Sequence, residues 1–413
     1  MASPPILEIY VVWHPDDQAG AAIGDALISH FHGPAYAGLA GGAVEVYLRH
    51  AGWESPEGPP RPLPFMDALP ASLQPAQITA VVPILGRNLA RAVRSCPDWL
   101  EYVKAIFDAD SPGANEHEGR VVAVYPVRAP GADLSGTLLA EISVRPQALT
   151  PRDIESPDLA RDLAQAISQR IAREFAAEGL EERVTVFISH TKRGPGSGDD
   201  VLRLVELVRE VLRTTRLEDF FDAQDIQLAD DWEATLDAHA ARHAMLMVRT
   251  DKYASREWTQ REVLSAKIHD IPIVSMYAVR NEEDRGSFLM DHVPVIAWHP
   301  TNERASIARA LNRLVDEALK RALWTAQRVY LERDGFDWLP VHAPEPVTLV
   351  EWLRARRMSD KDPNLLIMHP DPPLGPKERE TVLQLCELAG ITSNVDILTP
   401  RTFSTRGGSS ERD

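Results

Sequence analysis

The chain has few cysteines and no surplus of basic residues. Only Cys96 and Cys386 occur among 413 residues, so we expect neither a disulfide framework nor a cysteine-rich metal site. Asp and Glu number 61 against 44 Lys and Arg, which gives a formal net charge of −17. An acidic surface of this kind argues against a direct nucleic-acid partner.

Long apolar runs are also missing. No stretch approaches the length of a membrane span, and the first residues lack the basic and apolar regions of a signal peptide. We therefore expect no membrane partner and a cytoplasmic location. With 44% apolar and 25% charged residues, the chain is long enough for two or three domains, each with its own core.

One pattern occurs three times: an apolar strand that ends in histidine, a polar loop and an amphipathic helix. The three histidines are His14, His190 and His369. The helices are predicted at residues 19–31, 199–213 and 376–389. The repeats lie roughly 175 to 180 residues apart, a spacing of whole domains rather than of solenoid modules.

We predict an α/β protein of duplicated domains with mostly parallel sheets covered by helices on both faces. The predicted domains are residues 1–180, residues 181–335 and a partial unit at 336–413 that ends in a polar tail. A proline cluster at 56–75 predicts a long irregular connection in the first domain. Strands of the middle domain are predicted near residues 184–189, 217–221, 244–249, 271–277 and 293–298.

The most informative segment runs from Asp251 to Glu262 and reads DKYASREWTQRE. In a helix, Trp258 and Glu262 stand four residues apart on one face, which places an aromatic ring beside a carboxylate. His239 and His243 also have helical spacing, but no third metal ligand is evident, so no metal site is predicted.

Residues 183–300 resemble a TIR (Toll/interleukin-1 receptor) domain. The resemblance is carried by an opening strand with Phe187-Ile-Ser-His190, by Phe220-Phe-Asp-Ala-Gln-Asp-Ile, and by the segment from Met245 to Glu262. That last segment matches the family pattern of Tyr, Ser, Trp and a glutamate four residues beyond the Trp. Two departures are the absence of the family's first Ser, replaced by Arg249 or Thr250, and of a glycine in residues 227–232.

The resemblance implies a flavodoxin-like sheet of five parallel strands. It also implies cleavage of NAD, as in many bacterial members, which releases nicotinamide and leaves a linear or cyclic ADP-ribose. The implied biological role is in defence or signalling. NAD is then a substrate, and no further cofactor is expected. A homo-oligomer or TIR–TIR assembly is the expected partner arrangement.

The resemblance assigns the catalytic role to Glu262. The candidates for substrate binding follow the first strand, follow the second strand or lie in the central motif: Ser189, His190, Thr191, Asp222, Trp232, Ser255 and Trp258. Nicotinamide leaves as a neutral base, so no general acid is needed, and one carboxylate can stabilise the developing positive charge. Trp258 or Trp232 could stack on a flat base.

Structural interpretations compete at these positions. Thr259 and Glu262 have capping-box spacing, in which Glu262 would bind only backbone donors. Trp258 and Trp232 could be packing residues, His190 could cap a strand end, and Asp222 could be a turn residue.

In the first domain, Val103 is four residues beyond Trp99, whereas Glu101 is only two residues beyond it and projects to another side of the helix. We therefore predict a silent first copy and one active centre per chain. The alternatives for the whole protein are a non-catalytic TIR scaffold and base transfer on another N-glycoside.

Overall fold

A computed structural model shows two compact units, residues 1–174 and 175–413. The structure describes residues 6–33, 35–36, 44–66, 76–110, 121–145, 148–149, 166–167, 184–191, 198–214, 221–224, 243–283, 286–355, 364–391 and 394–407. The domain boundary predicted at residue 180 lies near this division. The boundary predicted at residue 335 falls inside the second unit.

The first unit contains a parallel sheet in the order β2-β1-β3-β4, and β5 extends it beside β3. Its strands are β1 (Leu7–Val12), β2 (Val44–Arg49), β3 (Ile78–Leu85), β4 (Val121–Val124) and β5 (Val127–Arg128). Its helices are α1 (Ala19–Phe31), α2 (Arg87–Ser95), α3 (Pro97–Ala109) and α4 (Leu138–Ile142). Every residue of β1 and β3 is buried, as expected for central strands of a sheet covered on both faces.

The proline-rich connection of the first unit is irregular over its described part. Residues 51–66 form turns and bends, with one isolated antiparallel bridge between Gly52 and Pro60. This agrees with the interpretation of the proline cluster.

The second unit contains a five-stranded parallel sheet in the order β10-β9-β8-β6-β7. Its strands are β6 (Val184–Ser189), β7 (Phe221–Gln224), β8 (His243–Arg249), β9 (Ile273–Tyr277) and β10 (Val295–Ala297). Its helices are α5 (Gly198–Thr214), α6 (Glu257–Ile268) and α7 (Glu303–Arg333). Counted from β6, the order is 2-1-3-4-5, which is the doubly wound, flavodoxin-like order. The predicted fold class is therefore confirmed.

One strand of this sheet corrects a prediction. The described second strand is Phe221–Gln224, whereas the sequence predicted 217–221 and placed Asp222 at the start of the following loop. Asp222 instead pairs with Thr185 inside the strand. Since β7 lies at the end of the strand order, it is an edge strand, where polar residues are tolerated and the apolar pattern that guided the prediction is weak.

The last part of the second unit is a smaller α/β element. It contains α8 (Pro346–Ala355), β11 (Asn364–Met368), α9 (Pro376–Leu388), β12 (Asn394–Leu398) and α10 (Pro400–Thr405). β11 and β12 form a two-stranded parallel sheet, with α9 between them in the chain. Across the described parts of both units, no helix combines the length and apolar character that crossing a membrane requires.

Candidate functional site

The strand order of the second sheet places a crevice at the carboxyl ends of β6 and β8. The connections that leave these neighbouring strands run in opposite directions, and ligands of open α/β sheets bind at this switch point. Ser189 is the last residue of β6, and Thr250 follows β8. Both therefore lie where the sheet topology favours a site.

A buried chain of hydrogen bonds connects Ser189 with Tyr253 and Glu262. Ser189 Oγ donates to Glu262 Oε2 at 2.5 Å, and Tyr253 Oη lies 2.5 Å from the same Ser189 Oγ. Because the serine proton is directed to the carboxylate, the tyrosine hydroxyl is the donor to Ser189. The exposed fractions are 1% for Ser189, 0% for Tyr253 and 4% for Glu262.

The turn before α6 holds this chain in place. Thr259 Oγ1 donates to the carbonyl oxygens of Tyr253, at 2.5 Å, and Arg256, at 3.0 Å. The helix begins at Glu257, so Glu262 is its sixth residue, beyond the first-turn N–H groups that a capping box satisfies. The capping-box interpretation of Thr259 and Glu262 is therefore wrong, because it placed the helix start at the threonine.

The electrostatics of the cluster favour a protonated tyrosine. Burial raises the pKa of Tyr253, and the nearby Glu262 carboxylate raises it further. Arg249, which opposes this shift of the Tyr253 pKa, is held by a bidentate ion pair with Glu283, with N–O distances of 2.7 and 2.6 Å. The Tyr253 hydroxyl therefore stays a donor, and the Ser189 proton stays directed to Glu262.

A cavity of about 310 Å³ opens at the same edge of the sheet. Its polar lining comes from the loops after β6, β8 and β9 and includes Thr191, Thr250, Asp251 and Arg280. The Thr191 and Thr250 hydroxyl oxygens are 3.2 Å apart, and Asp251 accepts the backbone N–H of Arg280 at 2.7 Å. These bonds join the loops after β6 and β8 to each other, and the loop after β8 to the one after β9.

An aromatic ring closes one side of this cavity. Trp298, which follows β10, is among the lining residues, and the Arg280 guanidinium lies 5.6 Å from its ring centroid. Arg280 also donates to Asp200 at 2.5 Å. The lining therefore combines threonine hydroxyls, the carboxylates of Asp200 and Asp251, the cations Lys252 and Arg280, and an aromatic ring.

The predicted residues fall into two groups. Ser189 and Glu262 meet in the buried cluster, and Thr191 lines the cavity. Glu262 is not among the residues that line the cavity. His190 lies between Ser189 and Thr191, is half-buried, and has its Nδ1 3.3 Å from the Thr191 carbonyl oxygen.

The other candidates are less closely connected to the site. Ser255 Oγ donates to the Lys252 carbonyl at 3.1 Å and so stabilises the turn after β8. Trp258 is half-buried on α6. Asp222 lies within β7, and Trp232 lies outside the described residues.

Two residues of the site were not predicted from the sequence. Tyr253 belongs to the matched motif, and its position five residues before Trp258 was the available signal. Trp298 follows a strand of only three residues, which gave no signal for a role in the cavity. Among the described residues, no group of three or more His, Cys, Asp or Glu side chains is arranged to hold a metal ion.

Comparisons with known proteins leave the function open. No family model matches the chain, and no curated protein matches it. Among solved structures, the chain is similar to the crystal structure of tagatose-6-phosphate ketose/aldose isomerase from Escherichia coli, with 10% identity over 78% of this chain and 82% of that chain. The TM-score of 0.18 is too low to support an argument, so the fold class stands on the strand order alone.

Proposed function

We propose that the second unit is a TIR-type enzyme that cleaves the N-glycosidic bond of NAD, with Glu262 as the catalytic carboxylate. The observation that carries the proposal is the Ser189–Glu262 hydrogen bond at the carboxyl end of β6, beside the point where the strand order reverses. A carboxylate there can stabilise the positive charge that develops on the ribose as nicotinamide departs. Water then adds to the same ribose carbon and loses a proton, which gives ADP-ribose.

The surrounding residues have defined parts in this proposal. Ser189 orients the carboxylate, and Tyr253 fixes the serine by donating to its oxygen. The cavity lined by Thr191, Thr250 and Trp298 accepts part of the dinucleotide through its hydroxyls and its aromatic ring. No other cofactor or metal takes part in the reaction.

The burial of Glu262 adds a requirement. A carboxylate that is 4% exposed can reach the ribose only after the side chains around it move. We therefore propose that assembly of several copies in the cytoplasm precedes catalysis and opens this cluster. This accounts for a catalytic group that is hydrogen-bonded but covered in the single chain.

The same burial favours a second candidate function. A glutamate that accepts a serine hydroxyl inside the fold can serve stability alone, and the protein would then be a non-catalytic scaffold acting through TIR–TIR contacts. NAD turnover separates the two functions, because a scaffold consumes no NAD.

The test uses the full chain at high concentration with a crowding agent, and it measures release of nicotinamide from NAD. The key variant is Glu262→Gln, whose amide oxygen still accepts the Ser189 hydrogen bond. Its matched control is Glu257→Gln, five residues earlier on the same helix, where the side chain is 78% exposed. Turnover by the wild type and the control, with loss in Glu262→Gln, supports the proposal.

Two other results would favour a different function. An assembled wild-type protein that releases no nicotinamide supports the scaffold. Release from a different N-glycoside but not from NAD, again lost in Glu262→Gln, would keep the carboxylate and replace the substrate. A screen of nicotinamide mononucleotide and purine nucleosides covers that outcome.

A further inference from the structure

The second unit contains another cavity, of about 460 Å³, that is separate from the residues discussed above. It lies between the carboxyl end of α6, the last turns of α7, the segment at 336–345, and α8. Its volume falls within the range of small-molecule sites. None of Ser189, Tyr253 and Glu262 lines it.

One wall of this cavity is aromatic. Trp338 and Trp352 stack with ring centroids 5.0 Å apart and an angle of 17° between their planes, and Phe336 also lines the cavity. Both tryptophans are only half-buried, so part of their surface faces the open volume. A planar ring is the ligand shape that fits beside such a pair.

Two polar groups of the lining lack partners. Burial lowers the pKa of His342 to about 4, so its imidazole is neutral at pH 7 and offers one N–H donor and one acceptor nitrogen. The ring makes no hydrogen bond to any residue that the structure describes. Arg328 donates from one terminal nitrogen to Asp270 at 3.0 Å, but its Nε is buried and has no hydrogen-bond partner in the described part of the chain. A ligand with adjacent donor and acceptor atoms would satisfy these groups.

The charges of the lining disfavour an anion. Its two cations are already paired: Lys267 with Glu345 at 2.9 Å, and Arg328 with Asp270. Three further carboxylates line the cavity, those of Glu332, Asp337 and Glu351, with no other Lys or Arg among the lining residues. A phosphate or carboxylate group would therefore meet net negative charge from the lining, although Lys320 and Arg321 act on His342 from outside it.

From this lining we infer that the cavity binds a neutral planar heterocycle with an amide-like edge, of the kind that a nucleobase or nicotinamide presents. The ring packs on the tryptophans, and the edge bonds His342 and Arg328. Lys267 and Ile268, in the last turn of α6, also line the cavity, so a ligand there contacts the helix that carries Glu262. The inference does not depend on NAD cleavage.

The test compares matched pairs of probes on the full chain by calorimetry: nicotinamide against nicotinate, and adenosine against AMP. Within each pair the ring is the same and only the second member is anionic. We expect the neutral member of at least one pair to bind at least about tenfold more tightly than its partner, and the pair that responds identifies the ring. The inference fails if no neutral probe saturates the protein, or if the anions bind equally well.

Substitutions inside and outside the lining test whether the probe binds in this cavity. His342→Phe and Trp352→Leu should each weaken it by about tenfold or more, whereas Val350→Ala, on the exposed side of α8 and outside the lining, should not change it. Glu262→Gln should bind the probe like the wild type. Binding that is lost in Glu262→Gln and kept in His342→Phe would place the probe at the proposed catalytic centre and overturn the inference, even if a lining variant fails to fold.

Discussion

In both parallel sheets the first four strands have the order 2-1-3-4. The sheets differ in the residues at the switch point, where this order reverses. Val12 ends β1 as Ser189 ends β6. Val12 and Val103 are both 1% exposed and belong to one apolar cluster, whereas Ser189 bonds Glu262 in the second sheet. At the carboxyl end of the central strands, the same topology thus encloses apolar side chains in the first unit and a carboxylate in the second.

A second difference lies at the start of α2. The Asp17 carboxylate accepts the backbone N–H groups of Asn88 and Leu89 at 3.2 and 3.1 Å, and the Asn88 amide at 2.9 Å. A helix N-terminus beside a switch point is a common anion site, and here the protein's own carboxylate fills it. In the second sheet, a cavity of about 310 Å³ opens at the corresponding edge. The strand order therefore determines where a site can form, and a few side chains determine whether that position is filled or open.

The largest effect is expected from placing a carboxylate in the first core. Val103→Glu buries a charge in an apolar cluster that has no partner for it, so we expect a loss of more than about 4 kcal/mol in the free energy of unfolding. Hydrogen exchange of peptides from β3 and α3 measures the loss. Glu101→Gln, at an exposed position of the same helix, is the control and should change little. If hydrogen exchange in Val103→Glu is as slow as in the wild type, the first core also accommodates a carboxylate, and the proposed difference between the two cores is wrong.

The next effect concerns the serine of the second sheet. Ser189→Ala removes a partner from both Tyr253 and Glu262, so we expect a loss of about 1–3 kcal/mol, seen as faster hydrogen exchange in β6 and α6. Ser275→Ala is the matched control, because Ser275 is also a buried strand serine but its hydroxyl has no hydrogen-bond partner among the residues that the structure describes. Equal effects of the two substitutions would remove any special role of the Ser189 bonds.

A smaller effect is expected at the closed end of the first sheet. Asp17→Ala exposes the backbone donors of α2 and should cost about 1 kcal/mol, read from exchange of the Asn88 and Leu89 amides. Asp16→Ala is the control, because the Asp16 side chain is 77% exposed. Unchanged exchange in Asp17→Ala would mean that water replaces the carboxylate without cost.

The smallest expected effect is a difference between the two units in how their stability depends on pH. Because the pKa of His342 is lowered to about 4, the unfolded chain binds more protons below pH 6.5, and the second unit loses stability as the pH falls from about 6.5 towards 4. Burial raises the pKa of Glu8 in the first sheet, so its contribution has the opposite sign: it is present at low pH and is lost as the pH rises.

Between pH 7 and pH 6, the wild type should therefore lose about 0.7 kcal/mol more in the second unit than His342→Gln does, measured by exchange in α7 and α8. Identical pH profiles for the wild type and His342→Gln would show that His342 is not buried in its neutral form.

Much of the fold could be predicted because its elements carry strong local signals. The helix predicted at 19–31 is observed at Ala19–Phe31, and those predicted at 199–213 and 376–389 are observed at Gly198–Thr214 and Pro376–Leu388, within one residue at each end. The second strand of the middle sheet was predicted to end at residue 221, but it continues to Gln224, because the polar Asp222 and Gln224 lack an apolar pattern. Local sequence patterns therefore predict the bounds of buried elements better than those of edge strands.

The candidate site was only partly predictable. The meeting of Ser189 and Glu262, 73 residues apart, follows from parallel strands that end at one edge of a sheet. The burial of Glu262 and the use of Trp298 in the cavity depend on how α6 and β10 pack, which no local spacing encodes. The start of α6 at Glu257 was also obscured, since Thr259 and Glu262 imitate a capping box.

The most direct test of the central claim is the rate of nicotinamide release by the assembled full chain, compared between Glu262→Gln and Glu257→Gln. We expect Glu262→Gln to release nicotinamide at least about 100-fold more slowly than the wild type, because it loses the charge that stabilises the oxocarbenium ion, while Glu257→Gln keeps the wild-type rate. Equal rates in the two variants, in a wild type that consumes NAD, would contradict the assignment of catalysis to Glu262.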